Sequence, residues 1–219
     1  MILNVNTKPN SSGVPVFTYT GNYEIVDDNN NALTDLKAKN WRVRFLTSGE
    51  LTITNLKGAN NGIDIFLVGG GGGGAQNIAG SSKGSGCGGG GGGQTKMFSN
   101  VLLNKNTEYT ITIGAGNKDG YNVSGGWSSA FGYTAEGGAS AHPGSNYGGG
   151  NGGDGSYYMT SGGNGAKEFG IGPFYYGGGG GGGAQWATGT VYSPGAGGLG
   201  GGGAGGTAYT GTSSPIQSG

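Results

Sequence analysis

The residues that could carry covalent chemistry are few and scattered. Gly80-Ser81-Ser82-Lys83-Gly84 has the spacing of a nucleophile elbow, in which a serine sits on a sharp turn between a strand and a helix. Such a serine needs a base to take its proton, and His142, beside Pro143, is the only histidine of the chain. In a chain this rich in glycine and serine the pattern arises by chance, and no strand or helix brackets it. The G-x-G-x-x-G spacing recurs throughout the glycine runs without the following helix and acidic residue that dinucleotide binding requires. No Gly-Lys-Ser or Gly-Lys-Thr follows a glycine loop, so a Walker-type nucleotide site is absent. Cys87 is the only cysteine; it cannot form an internal disulfide, and with a single histidine it does not make the ligand cluster a metal needs. It is read as a small residue beside a glycine run. Asp27-Asp28-Asn29-Asn30-Asn31 is rich in oxygen but lacks the spacing and distal bidentate glutamate of a calcium loop, and is read as a turn. No enzyme, metal or cofactor is expected.

Recognition chemistry is better represented. Twelve tyrosines and three tryptophans are present, and several fall between glycine runs. Tyr157, Tyr158, Trp186 and Tyr192 each combine a flat apolar ring with a polar tip, which suits carbohydrate or protein surfaces. The alternative is that these rings cap the open ends of a glycine scaffold and keep water out of it. Trp41 and Phe131 are read as core.

The elements that must position these rings begin with strands. Apolar and charged residues alternate through Trp41-Arg42-Val43-Arg44-Phe45, which puts Trp41, Val43 and Phe45 on one face. After a turn at Ser48-Gly49, Leu51-Thr52-Ile53-Thr54 repeats the alternation. Ile63 to Val68 is a more buried third strand, Thr95 to Val101 a fourth, Tyr109 to Ile113 a fifth and Ser128 to Thr134 a sixth. Six short strands without helical periodicity between them predict an antiparallel sandwich. Residues 1–40 are polar and asparagine-rich, with an apolar patch at Val14, Val16, Phe17 and Tyr19, and are read as an N-terminal arm or attachment segment; residues 41–219 form the main domain.

Between the strands lie nearly pure glycine runs, Gly69 to Gly74, Gly88 to Gly93 and Gly177 to Gly183. Glycine makes up 59 of 219 residues, against a usual share of about 7%. Such a composition normally means a flexible linker. Linkers, however, mix glycine with serine, and disordered chains stay soluble by carrying charge, whereas here only 10% of residues are charged and the net charge is zero. The runs also abut strands directly. A pure glycine run can adopt the left-handed threefold helix of proline-rich chains, with about 3.1 Å rise per residue and every N–H and C=O directed outward. Runs of this length would span roughly 19 to 22 Å, the length of a strand. Without Cβ atoms, neighbouring runs can approach closely enough to bond laterally. Packed glycine helices are therefore the preferred reading, and Gly→Val at Gly71 or Gly180 is expected to unfold the module.

Leu51-Thr52-Ile53, then Ile65-Phe66-Leu67-Val68 running into Gly69 to Gly74, then Tyr109 to Gly116, Ser128-Ser129-Ala130-Phe131-Gly132, Lys167-Glu168-Phe169-Gly170, and Tyr176 with the run to Gly183 together resemble the glycine-rich domain family. That family is frequent in phage tail-fibre and adhesin proteins and is related to the glycine-rich domain of anaplastic lymphoma kinase-like receptors. The likeness covers most of residues 41–206. It implies a TNF-like, jelly-roll β-sandwich with an inserted bundle of packed polyglycine II helices. Phage-type members close with a further apolar strand, which Thr207 to Gly219 does not supply; either that strand is missing from this sequence or another segment, such as the Val14 to Tyr19 strand, takes its place. The receptor members are secreted and cysteine-bearing. This chain has one cysteine, and its start lacks the basic and apolar regions of a signal peptide, so the phage side is expected: made in a host cytoplasm and carried in a virion.

The function this implies is a tail-fibre or adhesin-type module that recognises a bacterial surface receptor, a polysaccharide or an outer-surface protein. The contacts would be made by loops held on a rigid polyglycine scaffold. Gln76 and Ile78, in the loop leaving the first run, and Trp186 and Tyr192, in the loop leaving the run to Gly183, are the candidate contacts, with Tyr157 and Tyr158 beside them. Other virion proteins are expected to bind the N-terminal segment, and assembly as a homotrimer stays open. Scattered basic residues, eleven against eleven acidic ones, build no patch for nucleic acid, and no apolar stretch is long enough for membrane insertion. The alternative function is a purely structural virion part, such as a head fibre, decoration or tail component. Ice binding would want regular G-x-x repeats and a flat threonine face, and neither is present.

Overall fold

The computed structural model describes residues 2–5, 13–38, 41–58, 62–75, 88–117, 123–141, 161–167, 173–183, 186–187, 190–191 and 193–204. Among these there is no helix, and the chain is all-β, built of short strands that pair antiparallel in small sheets. The strands are β1 (Ile2–Val5), β2 (Val16–Tyr19), β3 (Tyr23–Val26), β4 (Trp41–Phe45), β5 (Gly49–Asn55), β6 (Ile63–Val68), β7 (Thr95–Val101), β8 (Glu108–Ile111), β9 (Ser128–Ala130), β10 (Tyr133–Ala135), β11 (Ala166–Lys167), β12 (Tyr175–Tyr176), β13 (Trp186–Ala187) and β14 (Thr190–Val191). The larger sheet has the order β3-β4-β1-β6-β7 and the smaller β2-β5-β8; β9–β10, β11–β12 and β13–β14 are two-stranded pairs.

Alternation places the core. Trp41, Val43 and Phe45 of β4 and Ile63, Ile65 and Leu67 of β6 point to one side of the larger sheet. There they meet Leu51 and Ile53 of β5 and Ile111 of β8 in a single buried cluster. Ile65, Leu67 and Ile111 are wholly excluded from solvent, and each such side chain contributes about 1.5–3 kcal/mol by leaving water. Aromatic rings close one edge between the sheets: Tyr19 of β2 meets Phe45 edge-on at 4.6 Å, and Phe17 meets Tyr23 of β3 at 5.1 Å. Trp41 is core, as expected, whereas Phe131 is half-buried, its ring edge-on to Tyr109.

Segments from the first 40 residues enter both sheets. β1 lies between β4 and β6, with Leu3 opposite both Val43 and Ile65, while β2 pairs with β5 and β3 with β4. Asp27 shapes the turn that follows β3: its Oδ1 accepts the N–H groups of Asn29 and Asn31, and its Oδ2 accepts the Asn31 side-chain amide. These bonds, led by the Asn31 N–H, hold the carboxyl below its ordinary range. The asparagine-rich stretch is thus a turn closed on itself.

One expected strand is corrected. Residues 128–134 are not a single strand but a hairpin, β9 turning into β10 at Phe131 and Gly132, whose φ angles of 53° and 83° both lie in the left-handed region. Two successive residues of that hand make the tight turn whose twist matches antiparallel strands.

On the other side of the larger sheet, Arg42 and Asp64 both stand opposite Asn4, and both are buried. Arg42 pairs with Asp28 at 3.3 Å and donates to the Asp28 carbonyl. Asp64 accepts the N–H of Asn100 at 3.0 Å, where the β6–β7 register shifts between Ile63 and Ile65. Phe66 is covered by the ring of Tyr176, with centroids 5.6 Å apart, and Arg44 donates to the Tyr176 hydroxyl at 3.4 Å. The pair β11–β12, from which the run to Gly183 departs, therefore rests on this face.

Candidate functional site

β6 ends at Val68 and the chain passes into Gly69 with no turn residue between. From there the backbone groups find partners on neighbouring segments at intervals of three. The N–H groups of Gly69, Gly72 and Ala75 donate to the carbonyls of Gln94, Gly91 and Gly88 at 2.9, 2.8 and 3.0 Å. The carbonyls of Gly70 and Gly73 accept from Gly138 and Ala141 at 2.8 and 3.0 Å, while Gly70 donates to Gly126 and Gly71 accepts from Asn117. Segment 88–94 repeats the rule: Gly91 and Gln94 donate to Ala139 and Glu136, and Gly90 accepts from Gly180.

Beyond Gly180 the pattern continues. Gly178 and Gly181 donate to Gly200 and Gly203; Gly179 and Gly182 accept from Gly198 and Gly195; Gly162 and Gly165 donate to Ala196 and Leu199. A glycine array with lateral backbone bonds thus stands on the sheets. Its N–H and C=O groups find in one another the partners that a strand finds in a ladder.

In most of the array space, not backbone angle, is what demands glycine; Gly177, Gly200 and Gly201 are the exceptions, with left-handed φ. None of Gly69–Gly74, Gly88–Gly93 or Gly178–Gly183 has a left-handed φ. A Cβ at Gly92 would overlap the carbonyl of Gly177, one at Gly93 that of Gly69, and one at Gly72 that of Ala139. The exclusion expected at Gly71 does not hold: its Cβ would meet nothing nearer than the Gly91 oxygen at 3.9 Å, because it points out of the array. At Gly180 the Cβ would lie 3.3 Å from Gly90, a tight contact.

The same bonds fix which ends lie together. At the root, beside the sheets, Gly69 meets Gln94 and Gln94 meets Glu136. At the opposite, free end, Ala75 meets Gly88, Ala141 meets Gly73, Gly195 meets Gly182, Gly162 meets Ala196 and Gly181 meets Gly203. The flanks of segments 76–87, 142–160 and 184–194 are therefore gathered at one end. Gln76 and Ile78 belong to the first of these segments, Tyr157 and Tyr158 to the second, Trp186 and Tyr192 to the third.

Gln76, Ile78, Tyr157, Tyr158 and Tyr192 lie outside the described residues, as do His142, Cys87 and Gly80–Gly84. Trp186 opens β13 and stands opposite Val191 of β14. Among the described residues no three of His, Cys, Asp and Glu gather to hold a metal, and no helix is long and apolar enough to cross a membrane.

What sequence reasoning did not reach is that segment 142–160 shares this end with the other two, and that 161–165 and 195–203 bond laterally to the run ending at Gly183. Short glycine pieces carry no sign of which run they will bond to. Comparison of the chain with protein-family models, curated proteins and solved structures finds no match.

Proposed function

We propose that the chain is a receptor-binding module of the phage tail-fibre or adhesin type, which recognises a bacterial surface through segments 76–87, 142–160 and 184–194. The observation that carries this reading is the gathering of their flanks at the free end of a laterally bonded array. An array with no side-chain chemistry of its own is useful as a mount, and a mount is useful for what it holds out. On this reading the array is a bundle of polyglycine II helices, because partner changes at every third residue match a helix of three residues per turn. The two sheets sharing one core would be the TNF-like, jelly-roll sandwich of the glycine-rich domain family. The partner would be a polysaccharide or an outer-surface protein, met by aromatic rings.

The test is binding of the labelled, purified chain to bacterial cells, with and without Trp186→Ala and Tyr157→Ala. The expected result is saturable binding that falls at least tenfold in the variants while their melting is unchanged. Equal binding by the variants would overturn the assignment of these rings. A wild-type chain that binds no cells but is incorporated into particles would favour the structural virion part instead.

A further inference from the structure

The array's internal bonds run between backbone groups, many of them of glycine, so within the pure runs a slip of three residues would replace one bond with an equivalent one. Something at the root must set the phase. Five connections cross from the sheets into the part of the array nearest them, at 68/69, 94/95, 113/114, 127/128 and 135/136, and two side chains tie all five.

Ser128 is completely buried. Its hydroxyl donates to the Val68 carbonyl at 2.7 Å and accepts the Gly114 N–H at 2.8 Å. One oxygen therefore joins the last residue of β6, the first glycine after β8 and the first residue of β9. Gln94 ties the remaining crossings: its Oε1 accepts the N–H of Glu136 at 3.1 Å, its own N–H donates to the Glu136 carbonyl, and its carbonyl accepts from Gly69.

We infer that Ser128, with Gln94 as its counterpart, is the positioning residue that phases the glycine array on the sheets and so orients the free end. The hydroxyl suits this place for a chemical reason: it is the smallest side chain that donates and accepts at one atom. Alanine would leave a carbonyl and an amide unpaired at the junction. The inference rests on the proposed function only in what the free end is for.

The experiment uses the full chain carrying Cys87→Ser, with spin labels at Lys105→Cys and Gly74→Cys. Lys105 is exposed beside the sheets, and Gly74 is exposed near the free end, where an added Cβ meets nothing nearer than 3.7 Å. Ser128→Ala is expected to broaden the distance distribution at least twofold. It is also expected to speed exchange of the Gly114 amide at least tenfold relative to those of Ile65 and Leu67. Ser128→Cys should fall between, since a thiol donates and accepts weakly. Should Ser128→Ala fail to fold, Gln94→Ala, which removes one acceptor from a half-buried position, is expected to broaden the same distribution. An unchanged distribution width in the folded variant, or exchange that rises uniformly through β6 as well, overturns the positioning role. Cell binding is measured on the same samples: a wild-type chain that binds no cells defeats the receptor reading and leaves the distance result standing.

Discussion

At the scale of single residues, glycine is required here for two separable reasons, and substitutions distinguish them. Gly72→Ala puts a methyl group into the Ala139 carbonyl; overpacking of this kind costs about 1–3 kcal/mol, and separating the segments weakens the bonds on either side. Gly71→Ala, one residue away, enters open space at an ordinary φ. It should change stability by less than about 0.5 kcal/mol or raise it slightly, because alanine restricts the unfolded chain. Gly132→Ala tests the other reason, since nothing lies within 4 Å of its Cβ but its φ is 83°. The left-handed conformation alone should cost about 1–2 kcal/mol. Urea melts of the three variants check the order. Tyr19 supplies the pH-dependent residue: burial, and then the charge of Glu50, push its phenol up to about 12. The native state therefore holds this proton after the unfolded chain, near 10, has released it. Tyr19's contribution is intact below pH 10 and is lost as pH rises towards 12. A melting temperature followed through that window should fall less steeply in Tyr19→Phe.

At the scale of elements, the register of the larger sheet turns on the bulge between β6 and β7. Asp64→Ala removes the acceptor for the Asn100 N–H, and an unpaired amide there should cost about 1–3 kcal/mol in a urea melt. Asp64→Asn, which keeps an oxygen in place, should cost less. The strands around this bulge were legible in the sequence. Trp41–Phe45 alternates in sequence, as a pleated ladder asks of its side chains. Ile63–Val68, buried at five consecutive positions, shows instead as a short, mostly apolar run, and both it and Thr95–Val101 kept the bounds read for them. The β9–β10 hairpin was not legible, since Phe131 in a left-handed turn breaks no hydrophobic pattern. Nor was β1: Ile2–Val5 pairs with strands some 40 and 60 residues away, and four residues alone carry no signal of so distant a partner. The partners of the glycine segments were hidden for a related reason. A run of identical residues has no face, so register must be borrowed from the residues that bracket it.

At the scale of the whole molecule, the array is held to the sheets in two different ways, and this predicts unequal stability. Segments 69–75, 88–94, 114–117, 123–126 and 136–141 continue directly from strands of the sheets or the β9–β10 hairpin. Segments 161–165, 177–183 and 195–203 bond among themselves and reach the larger sheet through Tyr176, whose ring covers Phe66 and whose hydroxyl meets Arg44. Among the described residues Gly180 also donates to the Gly90 carbonyl, where the two runs lie side by side. Tyr176→Ala uncovers a Phe66 side chain that is only 2% exposed and should cost about 2–3 kcal/mol, whereas Tyr176→Phe, which loses a single 3.4 Å bond, should stay within about 1 kcal/mol. The loss should be local, because proteins open in cooperative units smaller than the whole. Amide exchange in Tyr176→Ala is therefore expected to quicken at Gly178, Gly179 and Gly181 while Gly69 and Gly72 keep their protection. Equal quickening at both sets would mean that the array opens as one body, and that Tyr176 braces all of it instead of mounting its outer part.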